Sequence, residues 1–255
     1  MTLDLGAFLS GHVFQFMLVF TRLSAGIMMF PGIGEQFVSP RIRLMFALSF
    51  SFILYPVLMS QLPVMPAGIP ELFMLLAGEA MIGVFFGSIM RLLVNVLETA
   101  GAVISIQTGL SNAMILNPTL AQQSALPSVF LSIAGVTILF VSGMHHMLLE
   151  ALLRTYQLFP VGVFPPPGDI VQTYVKLITH SFMVGVQLSA PFLISGLILM
   201  VALSFMQRLM AQVQLFLIVV PVQILGGLLL IATTIAMMLQ VWIRYFSESI
   251  AGLGG

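Results

Sequence analysis

Apolar runs long enough to cross a lipid bilayer alternate along this chain with short polar or Pro/Gly-rich breaks. A spanning helix takes about 20 mostly apolar residues. Six stretches reach that length, roughly 8–34, 44–62, 70–97, 126–150, 177–206 and 209–243, and each is predicted as a helix. The first closes on Pro31-Gly32-Ile33-Gly34, which should stop or sharply turn it. Connections are short apart from the loop Phe159–Asp169, which contains Pro165-Pro166-Pro167. No tail or linker is long enough for a second soluble domain. Residues 1–255 are therefore predicted as a single all-α, polytopic membrane unit.

One interruption stands apart. Between Glu98 and Glu150 there is no Asp, Glu, Lys or Arg, yet the run is broken midway by Gln107, Gly109, Ser111, Asn112, Asn117 and Pro118. A simple lipid anchor has no use for such a break. Backbone that leaves the helix inside a membrane protein must be buried in protein or line a wet cavity. The pattern points to an irregular loop held in a pore or at a subunit contact.

Composition narrows the class. The chain is 60% hydrophobic and 6% charged, with a mean hydropathy of +1.15. Soluble domains carry about a quarter charged residues, so a soluble fold is excluded. Eight basic and eight acidic residues leave no net charge and no basic stripe for nucleic acid. Cysteine is absent, which removes disulfides, thiol nucleophiles and thiolate metal sites. No Lys or Arg precedes Arg22, so the first segment lacks the basic start of a cleavable signal and is expected to be retained. Positive charges divide nearly evenly between the two sides of a six-span arrangement and set no orientation.

Few residues invite chemistry. Glu79, Gly83, Gly87, Arg91 and Asn95 recur every fourth position, with Glu98 three further on, which makes one slowly turning polar and small-residue stripe on a helix. Gly83-x-x-x-Gly87 allows close helix approach. Carboxylates inside a membrane need partners, so Glu79 and Glu98 are expected either to relay protons or ions, or to meet Arg22, Arg91 or a neighbouring subunit on a packing face. Charges of both signs along the stripe favour packing. His145 and His146 point about 100° apart on a helix and no nearby carboxylate or cysteine completes a site, so an interfacial helix end suits them better than a metal site. Gln207, Arg208, Gln212, Gln214 and Gln223 punctuate the last two helices. They either bond across helices or line a pathway. No catalytic constellation, cofactor motif or metal motif occurs. The chain's aspartates, Asp4 and Asp169, both lie outside the spans.

Taken in order, several elements resemble the FliR family, the flagellar subunit of the type III export gate, known in virulence systems as the SctT family. They are Arg22, Phe30-Pro31-Gly32, Pro40-Arg41-Ile42-Arg43, Gly78-Glu79 with Gly83 and Gly87, and Gln107-Thr108-Gly109-Leu110. Asn117-Pro118, Phe140 with Gly143-Met144-His145, Phe159-Pro160-Val161-Gly162, and Arg208 through Gln212, Phe216 and Pro221 follow. Ala211, Gln214, Val219 and Asn117 depart from the family pattern, which bears on local backbone shape there.

The resemblance implies a structural channel component rather than an enzyme, without cofactors. Its partners would be FliP and FliQ in a helical, pore-forming heteromer of long kinked helical hairpins, with FlhA and FlhB nearby, in the bacterial inner membrane within the flagellar basal body. Unfolded export substrates would pass transiently. Residues 1–175 would be FliP-like and residues 176–255 FliQ-like. The stretch Gln107–Gln122 would be a pore plug, with Gly109 and Pro118 as breaks, Gln107, Asn112 and Asn117 as its polar members, and Leu110, Met114, Ile115 and Leu116 as an apolar stopper. Arg22, Glu79, Gly83, Gly87, Arg91, Glu98, Arg208, Gln212, Phe216 and Pro221 would be buried polar or subunit-packing positions. The rival reading from residues alone is a proton-coupled carrier of small solutes titrating at Glu79 or Glu98, although the two halves show no internal repeat of the kind carriers carry.

Overall fold

The computed structural model describes residues 5–35, 37–111, 125–163, 167–209 and 215–252. They form helices α1 (Leu5–Met29), α2 (Pro40–Leu58) with a 3₁₀ turn at Met59–Gln61, α3 (Ile69–Gln107), α4 (Leu126–Val141), α5 (Met144–Leu158), α6 (Pro167–Leu188), α7 (Ala190–Leu209) and α8 (Leu215–Gly252). Among the described residues there is no strand.

Local chemistry sets the helix ends. At the expected Pro-Gly breaker, α1 stops at Met29, Gly32 turns to φ +84° and the Gly34 N–H bonds to Phe30 O at 2.7 Å. Ser39 caps α2 by accepting from the Ile42 N–H, and Pro40 fills the first turn, where its missing N–H costs nothing. Glu71 lies in the first turn of α3, the favourable end of the helix dipole for an acid.

Among the described residues five helices are long and apolar enough to cross a membrane, or up to six if the broken pair α4–α5 counts as one span. Two of the expected spans are not continuous. The stretch 126–150 breaks at Ser142-Gly143, where Gly143 adopts φ +75°, Ser142 N–H ends α4 on Ile138 O, and His146 N–H starts α5 on Gly143 O. A left-handed residue cannot continue a right-handed helix. The stretch 177–206 is interrupted at Ser189, whose N–H closes α6 on Gly185 O while its carbonyl accepts from Phe192 and Leu193 to open α7. Pro191 lacks the N–H that would have carried the ladder through.

The chain divides into two compact units. The first comprises 1–92, 143–177 and 250–255, and the second 93–142 and 178–249. The boundaries fall inside α3, α6 and α8 as well as at the Ser142-Gly143 break. In the first unit Leu18, Leu23, Ile27, Phe30, Ile82, Phe86, Leu148 and Leu152 form the core. In the second the core gathers Leu93, Leu97, Ile104, Leu131, Leu139, Phe192 and Phe246 around Trp242, whose indole N–H bonds to Leu93 O at 2.9 Å.

Candidate functional site

Two places concentrate polar chemistry, one in each unit. In the first, α1 and the Phe30 that follows it present a buried stripe of Phe14, Leu18, Val19, Arg22, Leu23, Ile27 and Phe30, and Arg22 sits in its middle, fully buried. The guanidinium grips Glu79 of α3 bidentately, Nε to Oε2 at 2.5 Å and Nη2 to Oε1 at 2.8 Å. Its Nη1 donates to Thr155 O at 3.1 Å and Phe159 O at 3.0 Å, at the C-terminal end of α5. The Tyr156 ring lies 4.1 Å from the guanidinium carbon, a cation–π contact. A planar fork with donors on two edges suits this double duty, which a lysine could not perform.

Glycines let the pair form. A methyl on Gly83 would collide with Arg22 O and stand 2.8 Å from Ala25 Cβ, and one on Gly87 would stand 2.8 Å from Gly26 O. The predicted close-approach face of α3 is thus laid directly against α1, with Gly26 meeting it from the other side. The cleft beside Glu79, lined by Leu75, Gly78, Ile82, Gly162 and Val163, has no room for a water molecule. Both carboxylate oxygens of Glu79 are held by Arg22, and the two form a buried ion pair within the chain.

The stripe does not continue as one buried face. Arg91 is half-exposed and pairs loosely with Glu35 at 3.8 Å, while Glu98 and Arg208 are exposed on the chain. Pro221 lies inside α8. The side chain of Phe216, and Gln212 altogether, lie outside the described residues, as do Asn112, Met114, Ile115, Leu116, Asn117 and Pro118.

The second place is the junction where α3 ends. Gln107 O accepts from Gln223 Nε2 of α8 at 2.7 Å, which satisfies one of the carbonyls a helix C-terminus leaves open. For Gln223 the cross-helix reading therefore holds. Gly196 of α7 lies against the Gln107 amide and Gly227 of α8 against Thr108, each so closely that a methyl would collide. Gly109 then turns to φ +73°, and beyond it Leu110 begins a short return that sets Ser111 Oγ 3.0 Å from Ser105 Oγ. The break expected at Gly109 is present.

The rings of His145 and His146 adjoin at the start of α5, centroids 4.0 Å apart and planes tilted by 37°, and His146 Nδ1 lies 3.2 Å from Gly143 O. Among the described residues no group of three or more His, Cys, Asp or Glu could hold a metal ion.

Sequence reasoning missed the carbonyls of Thr155 and Phe159 and the glycines Gly26, Gly196 and Gly227. Backbone acceptors carry no side-chain signature. Gly26 was open to discovery, because it falls four residues from both Arg22 and Phe30 on one face.

Residues 13–249 match the family model described as bacterial export proteins, family 1. The chain is 34% identical over 237 residues to the flagellar biosynthetic protein FliR of Caulobacter vibrioides, covering 93% of this chain and 94% of that one. It is 28% identical over 240 residues to FliR of Bacillus subtilis, covering 92% and 91%. It is also 25% identical over 225 residues to the Yop proteins translocation protein T of Yersinia pestis, covering 87% and 86%.

Proposed function

The chain belongs to the bacterial export proteins of family 1, the FliR family, and from that premise we propose that it is a pore-forming structural subunit of the flagellar type III protein export gate. As a component of an export apparatus it resides in the membrane, and in this reading it sits in the inner membrane within the basal body. It assembles with FliP and FliQ, with FlhA and FlhB as neighbours, so that unfolded flagellar subunits cross. Residues 1–175 take a FliP-like place and 176–255 a FliQ-like one. Its role is to build and seal a conduit rather than to catalyse.

One observation carries the heteromer reading. In its most apolar 18-residue stretch α7 is 11% buried within the chain, and α8 only 6%. α8 has 38 residues, about 57 Å of helix at 1.5 Å per residue. Even tilted by about 40° it spans about 44 Å, against roughly 30 Å of hydrocarbon. Past the hydrocarbon, α8 packs into the chain's own core through Met238, Trp242 and Phe246, and in this reading sister proteins cover the sparsely buried stretches of α7 and α8.

In this reading the segment Gln107–Gln122 plugs the conduit until a substrate arrives. The turn at Gly109, where the chain leaves α3 inside a charge-free run, supports it. The test is deletion of Gly109–Pro118 in assembled gates, with ion leakage across the membrane as the readout. Leakage is expected to rise severalfold while FliP and FliQ still co-purify; assembled gates that stay tight refute the plug.

A further inference from the structure

α5 divides lengthwise into two faces. Met144, Leu148, Leu152 and Tyr156 recur every fourth residue and are buried, while His146, Glu150, Arg154 and Gln157 are exposed. The polar face carries an ion pair, Arg154 Nη2 to Glu150 Oε1 at 2.8 Å, with side chains 51% and 59% exposed. Among the described residues the pair makes no other hydrogen bond. The rest of the guanidinium fork and Glu150 Oε2 are therefore open to a ligand.

A hollow borders each flank of the pair. At about 100° per residue, Met147 and Ala151 lie to one side of it and Leu153 and Gln157 to the other. The first side faces a hollow of about 220 Å³ that reaches Phe86 and Ile250. The second faces one of about 470 Å³, walled by Leu54, Val57 and Leu58 of α2. The larger falls within the usual size of a small-molecule site, about 300–1,000 Å³. It is apolar along α2 and polar along α5, and the charges among its described lining residues are those of Glu150 and Arg154.

The level of this hollow in a bilayer follows from α2. The apolar stretch Pro40–Gln61 has 22 residues, about 33 Å at 1.5 Å per residue, against roughly 30 Å of hydrocarbon. A helix that spans with so little to spare puts its last turns at the hydrocarbon boundary and Gln61 among the headgroups. A lipid at that level meets the α2 wall with its chain and the α5 charges with its headgroup.

We propose that the hollow between α2 and α5 binds a zwitterionic phospholipid with a primary ammonium headgroup. Its acyl chain lies along Leu54, Val57 and Leu58, its phosphate accepts from the Arg154 fork, and its ammonium donates to Glu150. One cation and one anion on the protein thus meet one anion and one cation on the ligand. A net-anionic headgroup would leave Glu150 facing like charge. A choline headgroup has no N–H to give it, and so forgoes the charge-assisted hydrogen bond. The bound lipid ties the end of α2 to α5 across a space that no side chain fills.

Native mass spectrometry of the delipidated, detergent-solubilised chain tests the site, with dioleoyl phosphatidylethanolamine, phosphatidylcholine and phosphatidylglycerol as probes. The first phosphatidylethanolamine is expected to bind about ten-fold more tightly than either of the others, the factor that one hydrogen bond to a charged group is worth. Glu150→Ala is expected to erase the preference over phosphatidylcholine without weakening phosphatidylcholine itself. Val57→Trp fills the apolar wall from an exposed position and leaves the ion pair in place. It is expected to weaken phosphatidylethanolamine by about ten-fold while circular dichroism stays unchanged.

Equal binding of the three lipids overturns the proposal, because the chain then holds only an unselective lipid coat. A preference for phosphatidylglycerol overturns it too, as do variants that bind like the unaltered chain. An Arg154→Ala gate that loses FliP or FliQ, with lipid binding by the isolated chain unchanged, gives the hollow to a sister protein and overturns it as well.

Discussion

Replacing Glu79 by Gln keeps the shape of the first unit's polar centre and removes one charge. Arg22 then remains fully buried with a neutral amide in place of the carboxylate that had accepted from its Nε and Nη2. Breaking a buried pair from one side costs about 3–5 kcal/mol, because the remaining charge stays uncompensated. Arg22→Met should cost a similar amount, leaving Glu79 without donors and Phe159 O without Nη1. Thr155 O suffers less, since the Phe159 N–H still reaches it at 2.8 Å. Arg22→Met/Glu79→Leu removes both charges at similar volume and leaves chiefly the Phe159 carbonyl unsatisfied, a loss of about 1–3 kcal/mol. The double variant is therefore expected to be more stable than either single one. Denaturant unfolding of the detergent-solubilised chain, followed by far-ultraviolet circular dichroism, measures all three. A double variant as unstable as the two single losses added together would refute the reasoning, as would Glu79→Gln unfolding with the unaltered protein.

Gly83→Val drives a side chain into the Arg22 carbonyl and is expected to cost about 3 kcal/mol, whereas Gly11→Ala, with nothing within 4 Å of the added methyl, should gain about 0.5–1 kcal/mol from helix propensity; thermal unfolding should show shifts of opposite sign. Trp242→Phe removes the indole bond to Leu93 O and part of a fully buried ring, an expected loss of about 2 kcal/mol that circular dichroism can follow in a variant without tryptophan.

Much of this architecture was readable where a residue type forces a backbone outcome. Pro31-Gly32 ended α1, and Gly109 ended α3 in the middle of an apolar run. The stripe Glu79, Gly83, Gly87 identified the face of α3 that meets α1, because four-residue spacing returns to one side of a helix. What it could not choose was the partner. Arg22 and a neighbouring subunit were both open as partners of Glu79, and Gly26 together with Ala25 sets the register of α1 on α3 that brings Arg22 to it. Glu98, three residues beyond Asn95, rotates outward instead of extending the stripe. Hydropathy concealed the breaks at Gly143 and Ser189, since averaging over a span registers how apolar residues are and not the sign of one φ or the loss of one N–H. Gln223 read as one glutamine among several. Its role depends on a carbonyl 116 residues away, which no local pattern encodes.

The separation of Arg22 from its acceptors also bears on biogenesis. Glu79 follows it by 57 residues and the Phe159 carbonyl by 137. At ribosomal rates of about 5–20 residues per second, the nascent chain carries a lone cation in its first greasy segment for about 3–11 s, and lacks the second acceptor for about 7–27 s. Insertion scales charge about 2.5–3.5 kcal/mol for such a residue at mid-bilayer. The leading helix is therefore expected to settle fully into the bilayer only after Glu79 has emerged to pair with Arg22.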